Sequence, residues 1–193
     1  MLFKAIGRGL IKAATTGGFK EGFSSIMGLE ESLRYLAAGK TSDAKATLSI
    51  AYSQDGTNKE AILAIAVINQ YYEHNNYAAE IIYQEIIQAE LADDKNKWSW
   101  FAHKHLAIIK ALEGNDIEAD NNFKRAIFKN RSDAELIYKY GLFCQIKGRN
   151  DEATQYYRDA ISLDPRYAAD VSMTSPNIEY LKRINIENTF QMN

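Results

Sequence analysis

A single cysteine, Cys144, leaves the chain without a disulfide framework and without a metal site built from several thiolates. Only two prolines, Pro165 and Pro176, interrupt it, which points to long helices joined by short connections. No apolar run approaches the ~18 residues that a transmembrane helix requires. Charge of one sign is also scarce: a net −2 excludes a chain that binds polyanions along its whole length. What is present is the balance of a globular protein, 46% apolar and 25% charged, in 193 residues, enough for one domain or two small ones.

Two segments align without a gap at one constant offset. Leu106-Ala107 corresponds to Tyr140-Gly141, Gly114 to Gly148, Glu118-Ala119 to Glu152-Ala153, Phe123 to Tyr157 and Ala126-Ile127 to Ala160-Ile161. Small residues at 107/141, 119/153 and 126/160 let two antiparallel helices approach closely. The aromatic at 123/157 lies one turn beyond the alanine at 119/153, on the same helix face. Gly114 and Gly148 close the first helix, where a positive φ is favoured. Asp116 and Asn150 follow, in place to cap the second helix. A weaker copy upstream sets Ala79, Tyr83 and Ile86 against Ala119, Phe123 and Ala126, a longer interval whose extra residues are placed in 91–97. A fainter one still, Gly39, Ala44, Leu48 and Ala51, precedes it, with Ala44 matched to Ala79.

This pattern resembles the tetratricopeptide repeat, a helix–turn–helix unit of about 34 residues. The copy 134–167 carries Gly141, Ala153, Tyr157, Ala160 and Pro165. The copy 100–133 carries Leu106, Ala107, Ala119, Phe123 and Ala126, with Arg131 in place of the proline. His103 and Ile137 stand where the family usually has tryptophan. The resemblance implies an all-α, right-handed α-solenoid of about three or four such repeats. Helices are expected near 2–14, 25–38, 42–54, 58–73, 77–93, 97–113, 117–129, 133–147, 151–163 and 177–188. Three regions follow: a basic amphipathic helix and linker over 1–20, a repeat domain over 21–167, and a C-terminal capping region over 168–193. In that last region Ile178, Leu181 and Ile184 share one side, with Glu179, Lys182 and Arg183 on the others.

The resemblance also implies a groove lined by the first helix of each pair. Its positions fall on Ala61, Ala64, Ile68 and Tyr71, on Phe101, Lys104, Ile108 and Ala111, and on Glu135, Tyr138, Leu142 and Gln145. Family members that grip a C-terminal carboxylate use lysine, asparagine and arginine there. Ala64 and Ile68 stand at the corresponding places, so that clamp is absent. The segment 97–113 is apolar round most of its circumference, with Trp98, Phe101, Leu106, Ile108, Ile109 and Leu112. Either neighbouring repeats curl tightly enough to bury these groups, or a partner covers them. The expected partner is a protein, contributing an apolar peptide or helix to Ala64, Ile68, Tyr71, Phe101, Lys104, Ile108, Tyr138 and Leu142. Lys104 and Glu135 are placed to set its direction.

The first twenty residues hold Lys4, Arg8, Lys12 and Lys20 and no acid. Leu2, Phe3, Ile6, Leu10, Ala13 and Ala14 share one arc of a helix, and Lys4, Arg8 and Lys12 the opposite one, although Gly7 and Gly9 weaken it by about 1 kcal/mol each. Four readings stand for Phe3, Lys4, Ile6, Arg8, Leu10 and Lys12. They are contact with an anionic membrane surface, an organelle transit peptide, docking into a groove of this or another copy, and packing on the first repeat. The third would make a homo-oligomer. A secretory signal is disfavoured, because the basic residues break the apolar run. The expected location is cytoplasmic, with the membrane reading placing it at the periphery of a bilayer.

Catalytic patterns are lacking. Gly7-Arg8-Gly9 and Gly17-Gly18 have neither the strand–turn–helix context nor the lysine of a phosphate-binding loop. His103 and His105, two apart on a helix, point in different directions and cannot share a metal, and His74 suits a helix end. Cys144 reads as a small core residue. Asp93-Asp94 and Glu30-Glu31 read as loop or surface charges. No enzyme, metal or cofactor is expected. Nucleic acid is not expected either, because the groove positions repeat no polar identity.

Overall fold

The computed structural model describes residues 28, 31–32, 34–54, 56, 59–92 and 98–172. Among these the secondary structure is helical, with no strand. After helical residues 34–37 come α1 (Thr41–Gln54), α2 (Lys59–Tyr71), α3 (Asn76–Ala92), α4 (Ser99–Leu112), α5 (Asp116–Lys129), α6 (Ala134–Ile146), α7 (Asn150–Leu163) and the short α8 (Tyr167–Ser172). The expected helices 2–14 and 177–188, and residues 25–27, 29–30 and 33 of the expected helix 25–38, lie outside the described residues. The chain forms two compact units that divide between Ile86 and Ile87, inside α3.

In the first unit α1 packs on α2. Ala44, Leu48 and Ala51 form the buried stripe of α1. Lys45 Nζ ties α1 to the end of α2 by donating to Asn69 Oδ1 at 2.7 Å and to Glu73 Oε2 at 2.8 Å. The α3 residues Ala79, Tyr83 and Ile86 are buried, and Tyr83 Oη donates to the buried Gln70 Oε1 of α2 at 3.0 Å.

The second unit holds two helical hairpins, α4–α5 and α6–α7, closed by α8 against α7. Its second helices bury narrow stripes, Ala119, Phe123 and Ala126 on α5 and Ala153, Tyr157 and Ala160 on α7. These are the residues matched between the two best sequence copies, so the sequence repeat is a packing repeat. Phe123 meets Tyr140 and Phe143 of α6 with ring centroids 5.4 and 5.5 Å apart, joining one hairpin to the next. Each such ring contributes about 1.5–3 kcal/mol through the surface it removes from water. Tyr140 Oη donates to Asp120 Oδ1 of α5 at 2.8 Å, and Arg149 Nη2 pairs with the same oxygen at 2.7 Å.

The joints repeat as well. Gly39, His74, Gly114 and Gly148 all have positive φ, between 52° and 77°. The steps from each to the next are the same intervals that separate Ala44, Ala79, Ala119 and Ala153 in the sequence copies. Following the glycines, Lys40, Asn115 and Arg149 donate their N–H to the carbonyls of Tyr35, Lys110 and Cys144, the bond that closes a helix whose next residue is left-handed. The caps differ from expectation by one residue. Asn115, not Asp116, accepts from Glu118 N, and Arg149 precedes α7 without a side-chain cap. Asp116 and Asn150 are the first residues inside their helices.

Candidate functional site

The first helices of the pairs are buried in a different way from the second. Every α2 residue from 63 to 71 is buried, as is every α4 residue from 102 to 109 and every α6 residue from 136 to 144. Successive residues on a helix are about 100° apart, so such a run samples all directions. A helix buried all round belongs to a core.

On α2, Ala64, Ile68 and Tyr71 are buried within the first unit's described core. In the second unit, Lys104, Ile108, Tyr138 and Leu142 are buried, while Phe101 is half-buried. Ile108, Tyr138 and Leu142 join the same apolar cluster as Phe123, Tyr157 and Tyr167. At these positions the side chains are buried, with Phe101 open in part. The apolar groups that suit them to a groove also draw Ile108, Tyr138 and Leu142 into continuous packing. Phe3, Lys4, Ile6, Arg8, Leu10 and Lys12 lie outside the described residues.

A polar cluster sits among these groups. Lys104 Nζ, 3% exposed as a residue, donates to Asp133 Oδ2 at 3.1 Å and to Glu135 Oε2 at 3.2 Å. It also lies 5.2 Å from the Trp100 ring centroid and 5.3 Å from that of Phe101. Lys139, fully buried, donates to Glu135 Oε1 from one turn away. Burial opposes the Lys104 ammonium, but Asp133 and Glu135 outweigh it and raise its pKa. Burial likewise opposes the Glu135 carboxylate, and the two lysines overcome it, holding its pKa well below the usual range. Lys139 goes the other way: burial, assisted by Lys104, lowers it to about 8 against the pull of Glu135. Burial, then Lys104 and Lys139, push His105 well below its ordinary value, so its imidazole is neutral at neutral pH.

Sequence reasoning placed Lys104 and Glu135 together but missed Asp133 and Lys139. A lysine inside the apolar run LIYKYGLF, one turn after a glutamate, was the available signal. Tyr138 connects this cluster to α8, its ring stacked on Tyr167 with centroids 4.8 Å apart and tilted on Tyr157 at 5.4 Å. His103 and His105 serve separate contacts. His103 Nδ1 bonds Asn122 Oδ1 at 2.7 Å, and the His105 ring lies 4.3 Å from that of Phe101. Among the described residues, no group of three or more His, Cys, Asp or Glu is placed to hold a metal ion. No described helix is long and apolar enough to cross a membrane.

Helical hairpins repeated at these intervals, with alanine and aromatic residues at their seams, define an all-α solenoid of the tetratricopeptide type. No protein-family model matches the chain, and no curated protein does. Among solved structures the fold is similar to that of MamA, a tetratricopeptide-type protein. The TM-score is 0.54 at 18% sequence identity, and the match covers 83% of this chain and 95% of the MamA chain.

Proposed function

We propose that the protein is a non-catalytic interaction scaffold that takes an apolar peptide or helix of a partner protein on the groove face of α4 and α6. The observation that supports this reading is the edge of that face, where the half-buried Phe101 of α4 and Glu135 of α6 flank the buried Lys104 and so leave an aromatic ring and a carboxylate within reach of a partner. Burial of such surface stabilises a complex by about 25 cal/mol per Å², less the entropy of ordering the ligand. A fold of helical hairpins supports a binding role in general terms, and the partner's identity rests on experiment.

Charging Ile108 or Leu142 would unfold the unit, because both are fully buried. The half-buried Phe101 and Glu135 give the cleaner test. Fluorescently labelled amphipathic helical peptides rich in leucine and isoleucine are titrated into the full chain and into Phe101→Asp and Glu135→Lys. Binding weakened at least tenfold by Phe101→Asp, with unchanged helicity, supports the site. Equal binding by all three proteins rejects it.

A second reading rests on the basic amphipathic pattern of residues 1–14. It makes the protein a recruited or structural subunit of a larger assembly, held to an anionic membrane or a second copy. Co-sedimentation with vesicles containing phosphatidylserine, compared between the intact chain and Lys4→Glu/Arg8→Glu/Lys12→Glu, tests the membrane arm. Light scattering on the same pair tests the oligomer arm.

A further inference from the structure

The outward face of α5 differs from that of its counterpart α7. Ile117 and Phe128, 78% and 77% exposed, are the most exposed large apolar side chains among the described residues of this unit. With Asn121 and Lys124 between them they follow alternating steps of four and three residues, a single stripe about three turns long. The aligned positions on α7 are Asp151, Gln155, Arg158 and Ser162. A hairpin of this fold therefore forms without apolar groups there, and packing within the repeat does not call for Ile117 or Phe128.

Charge along the stripe is divided. Glu118 stands beside Ile117 at one end, and Arg125 and Lys129 stand beside Phe128 at the other. Glu118 and Arg125 are both exposed, and neither forms an ion pair among the described residues. Lys124, by contrast, is held by Asp120 of its own helix at 2.6 Å. A uniformly anionic surface, such as a membrane or a nucleic acid, would be attracted to one end of this face and repelled by the other. Its complement is the same face turned end for end.

We infer that α5 is a contact between two copies of the chain, laid antiparallel about a two-fold axis that passes between residues 122 and 123. In this register Ile117 meets Phe128 of the second copy, and Asn121 meets Lys124 of the second copy. Glu118 pairs with Arg125 of the second copy, and the symmetry repeats every contact. A parallel arrangement would instead bring like charges to the same level. The contact is independent of the groove face of α4 and α6. Two apolar pairs fall short of the ~1,200 Å² buried by a stable interface, so the association is weak and builds up with concentration.

Sedimentation equilibrium of the full chain, from about 10 μM to about 1 mM, tests it. The wild-type average mass should rise towards that of a dimer. Glu118→Arg and Arg125→Glu each set like charges opposite one another, and each should weaken association about tenfold or more while the far-ultraviolet circular dichroism stays unchanged. Phe128→Ser, which installs the residue type found on α7, should weaken it as well. An equimolar mixture of Glu118→Arg and Arg125→Glu sets a copy positive at both positions against one negative at both, and should restore dimers that neither variant forms alone. A wild type that stays monomeric throughout would overturn the inference. So would single variants that associate as the wild type does, which would move the contact elsewhere, for instance to residues 1–14. A mixture that associates no better than its components would exclude the antiparallel register.

Discussion

Gly141 on α6 leaves room for the Tyr157 ring of α7 that no other residue would: a Cβ placed on Gly141 would lie 2.8 Å from Tyr157 Cε1 and 2.9 Å from Cδ1. The ring has little freedom to retreat, because Tyr157 Oη donates to Gln145 Oε1. Gly141→Ala therefore loses about 1–3 kcal/mol to overpacking and recovers about 1 kcal/mol from helix propensity, for a net loss of up to about 2 kcal/mol. Gly141→Val loses more. Urea denaturation measures both, and Tyr157→Phe, which frees the ring to shift, should return part of the loss in Gly141→Ala.

The left-handed joints behave oppositely. Gly148, with φ of +74° and open space around it, accepts a Cβ sterically but not conformationally, so Gly148→Ala costs about 1 kcal/mol and Gly148→Asn less. His74 holds φ of 52° with a side chain in place. His74→Gly should be neutral to stabilising, by up to about 1 kcal/mol, the relief of strain offset by the entropy of glycine. A destabilised His74→Gly in thermal denaturation would refute this account of the joint.

Asp133 does two things. Its Oδ1 accepts from Leu136 N at 3.0 Å, capping α6, and its Oδ2 accepts from the buried Lys104 at 3.1 Å. Asp133→Ala should cost about 2 kcal/mol or more, the cap plus one of the two carboxylates on Lys104. Asp133→Asn keeps the capping oxygen and loses the charge, so it should fall between. Equal losses in the two variants would mean that only the charge counts.

Lys139 gives a pH dependence with a defined sign. Its folded pKa is lowered from 10.5 to about 8, so in that interval the unfolded chain holds a proton that the folded chain has released. Stability contributed by this group therefore rises with pH between about 8 and 10.5, and the full cost of burying the ammonium applies below 8. From pH 7 to pH 9.5 the wild type should gain about 1–2 kcal/mol relative to Lys139→Met. A difference that stays constant across those pH values in urea titrations would show that the lysine keeps its ordinary affinity for protons.

The helices of the repeats were legible because their signal is local and redundant. Ala119, Phe123 and Ala126, and their counterparts Ala153, Tyr157 and Ala160, mark the buried stripe of each second helix and set its limits to within a residue or so. Three features escaped for identifiable reasons. His74 occupies a left-handed position that the other copies mark with glycine, so composition gave no cue. The short α8, following Pro165, has too few residues to show a period. At the candidate site, spacing told which residues share a face of α4 or α6 but not what lies over that face. Ile108 and Leu142 consequently looked like an exposed lining and are core.

Cys144 adds a practical consequence. The only thiol in the chain is fully buried on α6, and burial raises its pKa to about 11. Thiolate, the form that attacks alkylating reagents, is thus both scarce and shielded while α6 and α7 stay together. Each molecule that reacts with iodoacetamide must first have let that hairpin come apart, so the chain carries one built-in clock for counting its own openings without any added label.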